Sequence, residues 1–421
     1  MDATIAESTQ QLLRPGSCVD LYYPDPETAK KQCFRTSVNT KYVQQFSNLG
    51  QGTSVFTIPP NNGIQDIVLV MKLPDLTGGA AGLAIPRAWG YALIKQVSYR
   101  VGGSSQYFIT GAQMLQSALA SCPDAAARND LYALGGSQAA SPADFAALGN
   151  SNYAYVWLKL PWTMPSVEGK CPPLPSDLLT QQTQVTVELN PIPSIFSDNG
   201  AGTPPTTLDS AEFQVQQVQF SNQGDALARR VDMTSHSLSY PCEFVQQELA
   251  VPLSNSPNPQ TVSLTGFRAG EVKKIVVWIT ADADNTTAAN PLYWRAPRSV
   301  IMTYAGDQYA RYDADAGQLW NLVNSKQTPK VAGSSLAFAA GAYTSTPVDF
   351  RWLDLPFGQA YEVETAHSMY VAGKEILNGI VQLQLTLPPE LVGAAGNITL
   401  HASFIYNSVL VFGSGTADFA F

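Results

Sequence analysis

Apolar and polar residues alternate with strict period two in several separate stretches of this chain. A sequence with that rhythm must build sheets that keep one face dry and the other wet. From Gln184 to Leu189, the side chains of Val185, Val187 and Leu189 face one way and those of Gln184, Thr186 and Glu188 the other. Val381, Leu383, Leu385 and Leu387 alternate with Gln382, Gln384 and Thr386, and Pro388 and Pro389 close the strand because proline has no N–H for the ladder. Ile398, Leu400, Ala402, Phe404 and Tyr406 alternate with Thr399, His401, Ser403 and Asn407, and the apolar stretch Val409 to Phe412 follows at once, which predicts a long or bent strand. Two departures from the rhythm are informative. Phe213 and Val215 share one parity while Val218 and Phe220 share the other, so a β-bulge is expected near Gln216 and Gln217. Between Lys274 and Thr280, the run Ile275, Val276, Val277, Trp278, Ile279 does not alternate at all, as in a strand covered on both faces.

Helical patterning is confined to short pieces: Phe108 to Ala120, Ala125 to Leu134, Ser141 to Leu148 behind a Ser-Pro start, and Ala316 to Asn324. These read as loop decorations. Strands that do not alternate regularly with helices imply antiparallel sheets packed face to face, as a sandwich or a jelly roll. With 421 residues the chain exceeds the ~250–300 that one hydrophobic core serves, so two units are expected. The polar stretch Ser221 to Met233 is the break between them. The expected organisation is an N-terminal arm at 1–37, a first domain at 38–222, a linker at 223–233 and a second domain at 234–421, each domain the size of a decorated eight-stranded jelly roll.

Composition narrows the function. There are 24 Lys and Arg against 33 Asp and Glu, a net charge of −9, which argues against a nucleic-acid groove. Charged residues make up 14% of the chain, where about 25% is usual, and neutral polar residues fill the gap. No apolar run approaches the ~18–20 residues of a membrane span, and the opening MDATIAESTQQLL lacks the basic start and apolar stretch of a signal peptide. Cys18, Cys33, Cys122, Cys171 and Cys242 are scattered without CxxC spacing and read as thiols in a reducing compartment, with a Cys18–Cys33 disulfide as the lesser alternative.

No catalytic, cofactor-binding or metal-binding residue is expected. His236, His367 and His401 lack HxH or HExxH spacing, and neither a GxxxxGK[ST] loop nor a GxSxG elbow is present. His401, on the polar parity of its strand, reads as a solvated or interface imidazole, and Gln113 to Ala120 as a packing helix. The runner-up class is a carbohydrate-binding or glycoside-hydrolysing β-sandwich. Asp282 and Asp284, or Asp313 and Asp315, lie in loops near Trp294, Tyr309 and Tyr312 and could flank a sugar, but their spacing does not set a carboxylate separation, and solvated loop acids are the plainer reading. Asn285-Thr286-Thr287 and Asn397-Ile398-Thr399 match the glycosylation sequon without a secretory signal.

The order of segments resembles a known family. Ala88 to Gly103 (AWGYALIKQVSYRVGG) is similar to a strand ending in a Gly-Gly turn before a helix, here Phe108 to Ala120. Val156 to Pro165 (VWLKLPWTMP) followed by Pro172 to Asn190 (PPLPSDLLTQQTQVTVELN) resembles a Leu-Pro-aromatic segment, a proline-rich turn, a Leu-rich piece and an outgoing strand. Phe244 to Leu249 (FVQQEL), Val272 to Ile279, His367 to Ala372, Gly379 to Leu387 and Asn397 to Phe421 complete the match. The family is the double jelly-roll major capsid proteins of the adenovirus/tectivirus-like double-stranded DNA viruses, including large nucleocytoplasmic and polinton-like viruses. Two features depart from its pattern: the aromatic and basic signature is faint in Cys33 to Phe46, and the Asn-Phe-Ser tract is missing around Val371 to Asn378.

The resemblance implies an all-β chain of two consecutive eight-stranded antiparallel jelly rolls with short helices in the loops. It implies a structural protein, not an enzyme, that forms homotrimers with a pseudo-hexagonal outline tiling an icosahedral shell. Its partners would be itself, penton and minor capsid proteins, and a host-surface receptor or glycans reached by tower loops at Pro123 to Asn152 and Ala281 to Gly341. The N-terminal arm would run beneath the shell, and the protein would be made inside the infected host cell and reside in the virion. Low charge fits such a role, because side surfaces rich in Gln, Asn, Ser and Thr avoid burying unpaired charge.

Overall fold

In a computed structural model of the chain, the described residues are 37–420 apart from 60–62, 77–82, 104–105, 123–124, 140–141, 149–151, 161–173, 175, 177–178, 199–201, 221–237, 247, 283–293, 314–351, 358–359, 363–368, 372–373, 377–379 and 414–415. Eight strands build the two sheets of the first half: β1 (Ser37–Gln45), β2 (Gly52–Ile58), β3 (Gly63–Lys72), β4 (Ile94–Arg100), β5 (Tyr107–Thr110), β6 (Tyr153–Trp157), β7 (Thr183–Leu189) and β8 (Ser210–Phe220), beside a separate two-residue pair, Leu83–Ala84 with Ser197–Asp198. They form two four-stranded antiparallel sheets in the orders β1-β8-β3-β6 and β2-β7-β4-β5. The second half's two main sheets contain β9 (Leu238–Val245), β10 (Leu249–Leu253), β11 (Gln260–Leu264), β12 (Gly270–Ala281), β13 (Ser299–Tyr304), β14 (Asp307–Asp313), β15 (Leu353–Pro356), β16 (Lys374–Ile376), β17 (Val381–Thr386), β18 (Ile398–Gly413) and β19 (Thr416–Ala420), and Ala360–Glu362 pairs separately with Met369–Val371. Here the orders are β9-β18-β12-β15 and β11-β17-β13-β14, with β10 and β19 also pairing β18 and β16 pairing β12.

The two halves repeat one topology. With the added strands β10, β16 and β19 set aside, eight strands remain in the second half's main sheets, and in each half the first strand pairs the eighth, the eighth the third and the third the sixth, while the second, seventh, fourth and fifth form the facing sheet. This is the jelly-roll strand order, and the chain contains it twice in succession.

The alternating sequences lie where their rhythm places them. In β7, Val185, Val187 and Leu189 are buried and Gln184 is exposed; in β17, Val381, Leu383 and Leu385 are buried between exposed Gln382 and Gln384. The phase slip in β8 is a bulge, with the register against β3 shifting between Gln216 and Gln217. Strand β12 buries every residue from Ile275 to Ile279, as its unbroken apolar run requires. Ile398–Gly413 forms one long strand, β18, of 16 residues. Aromatic side chains fill both cores. Phe56 stacks on Phe213 with centroids 4.2 Å apart, and Phe404 stacks on Phe267 at 4.8 Å.

Helices α1 (Trp89–Leu93), α2 (Gly111–Ser121), α3 (Ala125–Leu134) and α4 (Pro142–Leu148) all decorate the first half. Two boundaries differ from the sequence expectation. The Ala88 to Gly103 segment begins as α1 and becomes strand only at Ile94, and α2 starts at Gly111 rather than Phe108. The second difference has a local cause. Tyr107–Thr110 pairs with β4, and Thr110 then caps the helix: its Oγ1 accepts from the Gln113 N–H while Gln113 Oε1 accepts from the Thr110 N–H. The Gly-Gly turn is present, with Gly102 and Gly103 both at positive φ. The arm at 1–37 except its last residue, the linker at 223–233 and the Ala316 to Asn324 helix lie outside the described residues, as do Cys18, Cys33 and Cys171. Of the described cysteines, Cys242 is a buried thiol and Cys122 donates its S–H to the Ala118 carbonyl.

Candidate assembly surface

The two rolls meet along a polar seam organised by the start of α2. Gly111 lets the helix start seat on its own roll, since a Cβ there would stand 2.0 Å from the Tyr91 carbonyl oxygen and 2.4 Å from that of Ile94. With the helix seated, the buried Gln113 amide donates to the Gln246 carbonyl and to Ser403 Oγ of the second roll, both at 2.8 Å. Thr110 Oγ1 donates to Glu248 Oε2 at 2.8 Å, and the other oxygen of Glu248 pairs with His401 Nδ1. His401 Nε2 bonds the Thr280 hydroxyl at 2.7 Å, and the imidazole lies parallel to the Trp278 indole at 5.5 Å. Trp278 in turn stacks on Trp294 at 5.3 Å. Each polar group here has its partner, and a satisfied buried network fixes one geometry between the elements it joins.

A second set of contacts brackets the seam. The Tyr107 hydroxyl donates to the Asp418 carboxylate, and its ring meets Phe244 and Phe419 edge-on at 5.5 and 4.6 Å. Burial and the neighbouring carboxylate push the Tyr107 phenol well above its ordinary pKa, so it remains a donor. Glu243 sits beside Lys273, close enough to the first roll to feel Lys159. Burial would raise the Glu243 carboxyl, but the ammonium groups of Lys273, Lys159 and Lys274 outweigh it and hold the pKa at about 2. Lys274 pairs with Asp354 at 2.6 Å.

The outer face of the β1-β8-β3-β6 sheet offers a different surface. Tyr153, Tyr155 and Trp157 alternate with buried Ala154 and Val156 along the edge strand β6, and they are 38%, 38% and 42% exposed. Their direct neighbours on β3 are Lys72, Val70 and Val68. Lys72 bonds Asp209 at 2.6 Å and lies over the Tyr153 ring at 5.7 Å. The row Val43, Gln214, Val68, Trp157 crosses all four strands without a charge.

The residues weighed for chemistry do not converge. Of the histidines, His236 and His367 lie outside the described residues, and His401 is part of the seam, the interface alternative of its sequence reading. Among the described residues, no group of three or more His, Cys, Asp or Glu could hold a metal ion, and no helix is long and apolar enough to cross a membrane. Asp282 accepts from the backbone and side-chain N–H groups of Asn397 at 2.9 Å, tying a loop to the start of β18; Asp284 and Asp315 lie outside the described residues. Trp294 and Tyr312, which a sugar would need on the surface, are buried. The seam residues escaped sequence reasoning because Thr110, Glu248 and His401 are far apart in the chain, although Thr110-x-x-Gln113 is a capping-box signature in plain view.

No protein-family model matches the sequence, and no curated protein matches it in sequence. Solved structures do match in fold. VP54 of PBCV-1, a crystal structure fitted into a cryo-EM reconstruction of the virophage Sputnik, is 11% identical, with a TM-score of 0.59 over 92% of this chain and 98% of that one. A quasi-atomic model of the PBCV-1 virus capsid matches at 12% identity and a TM-score of 0.58, again over 92% and 98%. The 3.5 Å cryo-EM structure of the Sputnik virophage matches at 11% identity and a TM-score of 0.51, over 94% of this chain and 92% of that one. This chain is therefore similar to them in its double jelly-roll architecture, whose repeated strand order is evident above.

Proposed function

We propose that this chain is the major capsid protein of a double-stranded DNA virus, a structural subunit without a catalytic step. The observation that carries the reading is the repetition of one eight-strand order in two rolls locked side by side by the Thr110–Gln113 seam. A rigid pair of equal units is half-way to a ring: three such chains supply six rolls, and a six-cornered block tiles a shell at sixfold positions. The likeness to structures of a viral capsid and a virophage supports the same role.

In this reading the homotrimers form pseudo-hexagonal capsomers of an icosahedral virion, assembled inside the infected host cell. The arm at 1–37 contacts neighbouring subunits or minor capsid proteins beneath the shell, penton proteins close the vertices, and outward towers that meet a host receptor or glycans come from 123–152 and from the parts of 281–341 outside 299–313, since β13 and β14 there belong to the second roll's own sheet and not to a loop. The net charge of −9 leaves the genome without a basic surface to hold. Burial of Trp294 and Tyr312, which leaves only Tyr309 of the three named aromatics partly exposed, speaks against the carbohydrate-active alternative. Light scattering on the purified protein tests the reading: a mass of about 136 kDa, three times 45.2 kDa, is expected, and a 45.2 kDa species at every concentration would refute it.

A further inference from the structure

We propose that β19 is a strap: docked against Tyr107 it locks the two rolls into one body, and released it lets them move relative to one another. The device lies within one chain and does not depend on what the chain assembles into. It starts from a knob on the first roll. Tyr107 opens the edge strand β5, yet only 3% of it is exposed, since its ring projects into a socket on the second roll. One wall of the socket belongs to the body of that roll: Phe244 meets the ring edge-on at 5.5 Å, and its strand, β9, pairs with β18 along eight residues. The other wall is β19. Phe419 meets the ring at 4.6 Å, and the Asp418 carboxylate accepts from the Tyr107 hydroxyl. Gly102, in the turn before β5, also lies close, since a Cβ there would stand 3.4 Å from the Ala417 nitrogen.

That second wall is the part able to move. β19 is five residues long and, among the described residues, pairs only with β18, through Val409–Gly413. A short strand held on one side has few bonds to lose when it opens. Two of the interactions that hold it beyond this ladder, the Phe419 ring contact and the Asp418 hydrogen bond, come from the first roll through Tyr107. Docking of β19 and locking of the rolls are therefore one equilibrium, and the coupling is mutual: what Tyr107 does for β19, β19 does for Tyr107. The Thr110–Gln113 seam fixes the register between the rolls by hydrogen bonds, which exchange with water at little net gain, whereas the socket adds apolar ring contact that water cannot replace.

Amide hydrogen exchange read by mass spectrometry on the full-length chain tests the strap in both directions. Tyr107→Ala, in the first roll, should speed exchange in residues 416–420 by about 10-fold or more. Phe419→Ala, in the strap, should speed exchange in 107–110 by a similar factor. In both variants the seam peptides 111–116 and 242–246 should exchange faster along with the strap, while the core strands 183–189 and 381–386 keep the parent's rates. Unchanged exchange of 416–420 in Tyr107→Ala would mean that β18 alone holds the strand, and faster exchange there with the seam peptides at the parent's rate would mean that the strand moves without unlocking the rolls. Either result overturns the proposal. If Tyr107→Ala also frees 94–100, and so unfolds its own sheet, the same two outcomes are read from Phe419→Ala and from Tyr107→Phe, which keeps the ring and removes only the donor.

Discussion

The third strand of each roll holds the same place in its sheet and carries an unbroken five-residue apolar run, Ile67–Met71 in β3 and Ile275–Ile279 in β12, yet the two pack differently. In β3, Ile67, Leu69 and Met71 point into the core; on the outer face Val70 is buried while Asp66 and Val68 are partly exposed. In β12, the residues at both parities are buried, with Ile275, Val277 and Ile279 inward and Val276 and Trp278 outward. Core packing is alike in the two; what differs is the layer outside. Over β12 the outer layer comes partly from the second roll itself, where Trp294 stacks on Trp278, and partly from the first, where Gln113 of α2 reaches Ser403 beside Val276.

That contrast can be broken most sharply at the tryptophans. Trp278→Ala, in the covered face, should cost about 3–5 kcal/mol of unfolding free energy by urea titration, because it opens a cavity beside His401 and Trp294. Comparable losses at Trp278 and Trp157 would erase the distinction between covered and open faces. An acid titration probes the charged flank of the seam. The Glu243 pKa of about 2 lies below its ordinary 4.5, so between these values the unfolded chain binds more protons. The contribution is fully present above pH 4.5, is lost as pH falls toward 2, and is on the order of 3 kcal/mol. Glu243→Gln should flatten the acid limb of the stability curve by that amount, and parallel limbs for parent and variant would contradict the pairing.

Smaller effects sharpen the picture. Gln113→Ala strands the Gln246 carbonyl and the Ser403 hydroxyl and should cost about 1–3 kcal/mol, against almost nothing for Asp130→Ala on exposed α3. Equal midpoints for the two would show that the seam contributes nothing to stability. Last, Trp157→Ala in dilute, dissociated protein should cost about 1–2 kcal/mol, less than Trp278→Ala, since 42% of the residue is already exposed there. A larger loss would mean that this face is occupied within the chain itself.

The sheets were legible in the sequence wherever one face is wet. Gln184 to Leu189 and Val381 to Leu387 declare their faces, and the slipped parity of Val218 and Phe220 locates the bulge. The open face was not legible, because in Tyr153-Ala154-Tyr155-Val156-Trp157 the outward residues are aromatic and the inward ones aliphatic, so the period is hidden among apolar types. The seam was hidden for another reason. Gln113, Glu248 and His401 come together only once both rolls have formed, and no local pattern encodes a contact between residues that far apart in sequence. The start of α2 lay between these cases, since its Thr-x-x-Gln box was present but the preceding strand blurred it.

Cryo-electron microscopy of the purified chain, classified without imposed symmetry, puts threefold joining of paired sandwiches to its most direct test. Class averages of six lobes in a ring, alternating between two slightly different kinds, are the expected result. Particles of only two lobes at every concentration examined would contradict it.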